Sequence, residues 1–182
     1  NSSEVKIETE IKNSHGFFRK NHGAEVDYDI KVPANLKVNV ENVNGTITIT
    51  RIDNDINAET VNGSINISGC PGIVVVNGVN GKVTCNIDSL TGGISVDVVN
   101  GSVNIGGLKN VNANVDASTV HGKVNFRDLP FANINSEKRS MTGTLGKGGN
   151  MIRVSTVNGS IKFDANKIIS KKEGDFEIKI DF

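Results

Sequence analysis

One tripeptide constrains this chain more than any other feature. Val-Asn-Gly occurs at Val43-Asn44-Gly45, Val61-Asn62-Gly63, Val79-Asn80-Gly81, Val99-Asn100-Gly101 and Val157-Asn158-Gly159, with Val120-His121-Gly122 as a variant. Successive glycines stand 18, 18, 20, 21 and 37 residues apart. The last gap is about two periods, and Met141-Thr142-Gly143 falls inside it, so seven turns are expected. A fixed period of this size marks a repeat architecture, in which each unit buries its apolar face against its neighbours.

Around every turn the apolar residues alternate. After it come Ile47 and Ile49, Ile65 and Ile67, Val83 and Cys85, Val103 and Ile105, Val124 and Phe126, Ile161 and Phe163. Before it come Ile56 and Ala58, Val74 and Val76, Ile94 with Val96 and Val98, Ala113 and Val115, Ile152 and Val154. Period-2 alternation is the pattern of a strand with one buried face, so each repeat carries two short strands. The step from Ile56 and Ala58 to Val61 changes parity, which predicts a corner or bulge with the turn valine brought inward.

Glycine suits a tight turn because it adopts positive φ without a Cβ clash, and asparagine before it tolerates the left-handed region. Asn44, Gly45, Asn62, Gly63, Asn80, Gly81, Asn100, Gly101, Gly122, Gly143, Asn158 and Gly159 are therefore read as structural turn residues. Two architectures accommodate them. Asn-Gly between alternating strands is a strong hairpin signal, which would give an antiparallel meander. A solenoid explains in addition why one residue type returns at one phase, because ladders of like side chains form only when coils stack in register. The expected fold is all-β: a β-solenoid (parallel β-helix-like) of about seven coils of 16–21 residues with strand caps at both ends. It forms one domain over residues 1–182, with a cap and lead-in at 1–42, the repeats at 43–165 and a second cap at 166–182.

The caps have their own strand patterns, at Val5, Ile7 and Ile11, at Val26, Tyr28, Ile30 and Val32, at Leu36, Val38 and Val40, and at Phe176, Ile178, Ile180 and Phe182. Between the first two lies a segment, Asn13 to Gly23, that obeys neither repeat nor alternation. Its Phe17, Phe18, Arg19 and Lys20 are the candidate binding residues: the loop either folds over the open first coil as a lid or presents an aromatic, basic tip to a partner.

Charge and chemistry exclude more than they assign. Lysine plus arginine is 20 and aspartate plus glutamate is 20, so no net field favours nucleic acid or an anionic membrane. No apolar run has the length of a membrane helix, and Asn1-Ser2-Ser3-Glu4 does not read as a signal peptide, as expected of a mature or trimmed chain. Cys70 and Cys85 lack metal or redox spacing and are read as small core residues. His15, His22 and His121 have no ligand partners, so no metal and no cofactor is expected; His121 is read as an exposed substitute for a turn asparagine. Asp53, Asp55, Glu59, Asp88 and Asp97 are the carboxylates nearest to a catalytic set, but their phases in the repeat are expected to differ, leaving no catalytic residue. The outward rows, Thr46, Ser64, Lys82, Ser102, Lys123, Thr144 and Ser160 followed by Thr48, Asn66, Thr84, Asn104, Asn125 and Lys162, form a hydroxyl- and amide-rich face without an aromatic platform for sugars.

The lead-in Tyr28-Asp29-Ile30-Lys31-Val32-Pro33, then Leu36-Lys37-Val38 and Val43-Asn44-Gly45-Thr46-Ile47, resembles the bacterial putative-adhesin family of β-strand repeat proteins, DUF4097, from Val26 to Phe182. The resemblance implies a solenoid-like fold, export to the envelope or cell surface, and no catalytic motif. The expected function is a non-enzymatic, adhesin-like repeat scaffold contacting protein or glycan. A structural or assembly module of the envelope is the alternative, and a carbohydrate-active β-helix enzyme stands behind both.

Overall fold

A computed structural model describes residues 27–168 and 178–181. The described strands, in chain order, are β1 (Asp27–Ile30), β2 (Val38–Thr50), β3 (Ile56–Ser68), β4 (Val74–Asn80), β5 (Val83–Asn86), β6 (Ile94–Asn100), β7 (Val103–Gly106), β8 (Ala113–His121), β9 (Val124–Arg127), β10 (Phe131–Ser136), β11 (Ser140–Leu145), β12 (Met151–Asn158), β13 (Ile161–Asp164) and β14 (Ile178–Asp181). A 3-10 turn at Leu108–Asn110 is the helical element among the described residues.

Pairing decides between meander and stack. Each repeat has two arms that bend at the Asn-Gly corner, and corresponding arms of different repeats pair in parallel. Val38, Ile56, Val74 and Ile94 stand in one register in the first arm, and Ile47, Ile65, Val83 and Val103 in the second. The chain is therefore all-β and solenoid-like. The first two corners keep the ladder unbroken, so β2 and β3 each run through both arms, whereas later repeats break at the glycine.

The stacking order is not the sequence order. After β6 and β7 the next coil is β12 and β13, and the β8–β9 repeat lies beyond it: β12 pairs in parallel with both β6 and β8, and β13 with both β7 and β9. The last repeat of the sequence is thus inserted between two earlier ones. The seventh expected turn is corrected: Met141, Thr142 and Gly143 lie inside β11, where Gly143 faces Val115 in an antiparallel ladder. β10 pairs antiparallel with β11, so the irregular stretch is a hairpin laid on β8, which covers the far end of the stack.

At the other end, β14 returns to pair antiparallel with the second arm of β2, and β1 pairs with β14. Both cap strands thus sit on the first coil, instead of one at each end. The expected cap residues before Asp27, the Asn13–Gly23 segment with Phe17, Phe18, Arg19 and Lys20, and the cap residues Phe176 and Phe182 lie outside the described residues.

The core lies in the angle between the arms. Ile47, Ile65, Val103 and Ile161 are fully buried, with Val83 and Val124 buried beside them. Burial of each such side chain contributes roughly 1.5–3 kcal/mol. Phe163 is buried as expected, but Phe126 is 41% exposed. It lies on β9, the outermost second-arm strand among the described residues, and packs edge to face on Phe131 at 5.4 Å between ring centres.

Candidate functional site

The corner is built on close backbone approach. A Cβ on Gly63 would overlap the carbonyl oxygen of Gly45; the same overlap recurs for Gly81 on Gly63, Gly101 on Gly81, Gly159 on Gly101 and Gly122 on Gly159. Positive φ contributes at Gly45 (106°) and Gly81 (147°) only among these corner glycines. The reason for glycine is thus mainly the stacking of backbone on backbone, and the positive φ expected of the turn is secondary.

Next to the glycines the asparagines form a continuous ladder. Asn62 Nδ2 donates to Asn44 Oδ1 at 3.2 Å, Asn80 to Asn62 at 2.9 Å, Asn100 to Asn80 at 3.0 Å and Asn158 to Asn100 at 2.7 Å. Each inner amide is both donor and acceptor, an arrangement in which neighbouring bonds polarise one another. His121 is exposed at the end of the ladder, opposite Asn158.

The turn valines are outside, against expectation. Val43, Val61, Val79, Val99, Val120 and Val157 are 40–60% exposed. Parity does not change before the corner: Ile56, Ala58 and Thr60 are all buried, so Val61 points outward with Asn57 and Glu59. Six valines at one phase therefore form an exposed apolar row along the stack.

Two residues before each valine stands a second outward row. Glu41 is in register with Glu59, Glu59 with Asn77, Asn77 with Asp97, and Asp97 with Ser155. This corrects the expectation that Glu59 and Asp97 fall at different phases. Asn57 and Asn77 donate to Glu59 Oε1 at 3.4 and 3.2 Å, while Ser95 and Ser155 donate to the Asp97 carboxylate. Adjacent rungs are about 4.8 Å apart, which puts Glu59 and Asp97 about 10 Å apart.

Between the rows the chain forms a groove of about 690 Å³, lined by Glu41, Glu59, Asn77, Asp97 and Ser155 on one side and by Val43, Val61, Val79, Val99 and Val157 on the other. Among the described residues no lysine or arginine lines it. Asn42, Thr60, Gly78 and Val98, each lying between a residue of one row and a residue of the other, complete the lining. Farther along this middle row, Thr156 Oγ1 donates to the carbonyl of Gly101 at 3.1 Å and Thr119 Oγ1 to that of Gly159 at 2.9 Å. Thr60 and Asn42 differ: on the inner face with Ala58 and Val40, the Thr60 hydroxyl and both polar side-chain atoms of Asn42 are buried and have no hydrogen-bond partner among the described residues.

The remaining candidates are dispersed. Asp55 pairs with Lys37 at 2.9 Å, and that hydrogen bond holds its carboxyl below the usual range; Asp88 pairs with Lys167 at 2.9 Å. Cys70 and Cys85 are free and buried, and burial pushes their thiols up to about 11 and about 12. Among the described residues no cluster of three or more His, Cys, Asp or Glu could hold a metal ion, and no helix is long and apolar enough to cross a membrane.

The family model of Toastrack DUF4097 matches residues 1–164. The chain belongs to the Toastrack DUF4097 family. A chain of known structure with a similar fold is "a putative cell adhesion protein" from Clostridium sporogenes ATCC 15579, 13% identical, with a TM-score of 0.58 over 78% of this chain and 99% of that one. At that identity the likeness concerns the fold alone. No curated protein matches the chain.

Proposed function

We propose that this Toastrack chain is a non-enzymatic, adhesin-like scaffold of the bacterial envelope or surface, whose stacked repeats hold a recognition groove rigid. The supporting observation is the groove itself: one exposed apolar row and one carboxylate row, kept parallel by in-register strands over successive coils. Loops lose conformational entropy on binding, whereas such rows are already ordered. The family and the description of its structural relative as a cell adhesion protein agree with this reading.

A carbohydrate-active enzyme has less support. Glycoside hydrolysis needs two carboxyl groups flanking the scissile bond, but Glu41, Glu59 and Asp97 all stand in one row, and a row cannot enclose a sugar from both sides. An end-to-end assembly module also has less support. The outer strand β10 carries a register shift between Ala132 and Asn135 and a positive φ at Asn133, devices that discourage strand addition.

The test is binding of the purified chain to arrays of immobilised surface proteins and glycans, with turnover of the glycans followed in parallel. Saturable binding without turnover is expected. Glycan cleavage, or no binding to any array, overturns the proposal.

A further inference from the structure

We infer that the groove receives an extended, basic polypeptide segment of a partner protein, lying across the strands along the axis of the stack. The inference rests on the scaffold reading and names its partner chemistry.

Two features of the groove point to this occupant. Among the described residues its carboxylates, Glu41, Glu59 and Asp97, face no lysine or arginine of the lining, so a basic partner complements their charge. Its opposite side is aliphatic, and among the described residues the lining has no aromatic ring on which a sugar would stack.

The spacing fits as well. From Glu41 to Asp97 is three rungs, about 14 Å, and an extended chain advances about 3.4 Å per residue. Basic residues four apart on an extended segment therefore meet both carboxylates. Successive side chains of such a segment point to opposite sides, so alternating basic and aliphatic residues would place their cations on the carboxylate row and their methyl groups on the valines.

The experiment uses the full chain and a synthetic peptide of alternating lysine and valine, with an alternating glutamate and valine peptide as control, followed by fluorescence anisotropy. Saturable binding of the lysine peptide alone is expected, weakening as ionic strength rises. The double variant Glu59→Gln/Asp97→Asn should weaken it about tenfold or more, and Val79→Thr/Val99→Thr should weaken it while keeping β-branching, each with an unchanged melting temperature. Equal binding of the two peptides, no binding, or retention by both variants overturns the inference. So does a glycan or a second copy of this chain whose binding is lost in the carboxylate variant, since it would take the groove for another occupant. If array binding by the parent chain survives in Glu59→Gln/Asp97→Asn, the groove assignment fails while the scaffold reading stands; if the parent binds nothing, the scaffold reading itself fails.

Discussion

Asn158 Nδ2 reaches Asn100 Oδ1 at 2.7 Å across 58 residues of sequence. The bond fastens the inserted coil to the fourth and continues a ladder that sequence-adjacent repeats began. Asn158→Ala removes its last described donor, and a lost hydrogen bond of this kind costs about 0.5–1.5 kcal/mol. A urea midpoint lowered by that amount, with an unchanged slope, is the expected result, and an unaltered midpoint would show that the ladder contributes nothing there.

Two glycines should respond in opposite ways to alanine. At Gly101 an added Cβ overlaps the Gly81 carbonyl, and the stacked backbones have no room to part without breaking the corner. Gly101→Ala should cost more than about 4 kcal/mol or leave the chain unfolded. At Gly78 the nearest atom to an added Cβ is Val98 Cγ2, at 3.6 Å, an ordinary contact. Gly78→Ala should be neutral or stabilise by up to about 1 kcal/mol. Thermal melting of the two variants side by side checks the contrast.

Ile65 is fully buried between Ile47 and Val83 of the neighbouring coils. Ile65→Ala should destabilise by about 2–5 kcal/mol, since the rungs on either side are held by backbone pairing and cannot close the cavity. Denaturant unfolding measures it.

The cysteines supply a pH prediction. Burial raises Cys70 from 9.0 to about 11 and Cys85 from 9.0 to about 12. The folded state therefore holds these protons more tightly than the unfolded one. Their contribution to stability is complete below pH 9.0 and is lost as pH rises through about 11 to 12. Native protein at pH 8 should resist thiol-specific reagents until urea is added, and Cys85→Ala should flatten the alkaline limb of the stability profile. Rapid labelling of both thiols in the native state would contradict this.

Much of the stack is legible in the sequence because a buried ladder repeats one residue class at one phase, as Ile47, Ile65 and Val83 do. The groove is legible too, once residues are counted back from each corner glycine: Glu41, Glu59, Asn77, Asp97 and Ser155 all stand four positions before one. Counting along the chain hides this, because repeats of different length shift the phase. The exposure of Val61 follows from Thr60, a buried threonine that continues the parity of Ile56 and Ala58, whereas hydrophobicity alone suggests the reverse. Coil order was not legible. An arm such as β12, with Ile152 and Val154 inward, offers the same pattern to several neighbours, and its place between β6 and β8 depends on tertiary closure. Gly143 misleads for a local reason: its tripeptide resembles a turn, but its antiparallel partner Val115 makes it part of a hairpin strand.

The inserted coil also sets the order of events during synthesis. A growing chain that has emerged only as far as β9 holds the strands of five coils, yet β8 has no permanent seat, because its parallel neighbour β12 has not been made. Until residues 151–164 arrive, the exposed edge of β6 and β7 is an open template for strand addition. Closure of the first coil depends similarly on β14, near the carboxyl end. A product cut short by even one repeat would therefore lack the middle of the stack as well as its end, and cellular quality control would meet an aggregation-prone fragment instead of a shorter working protein.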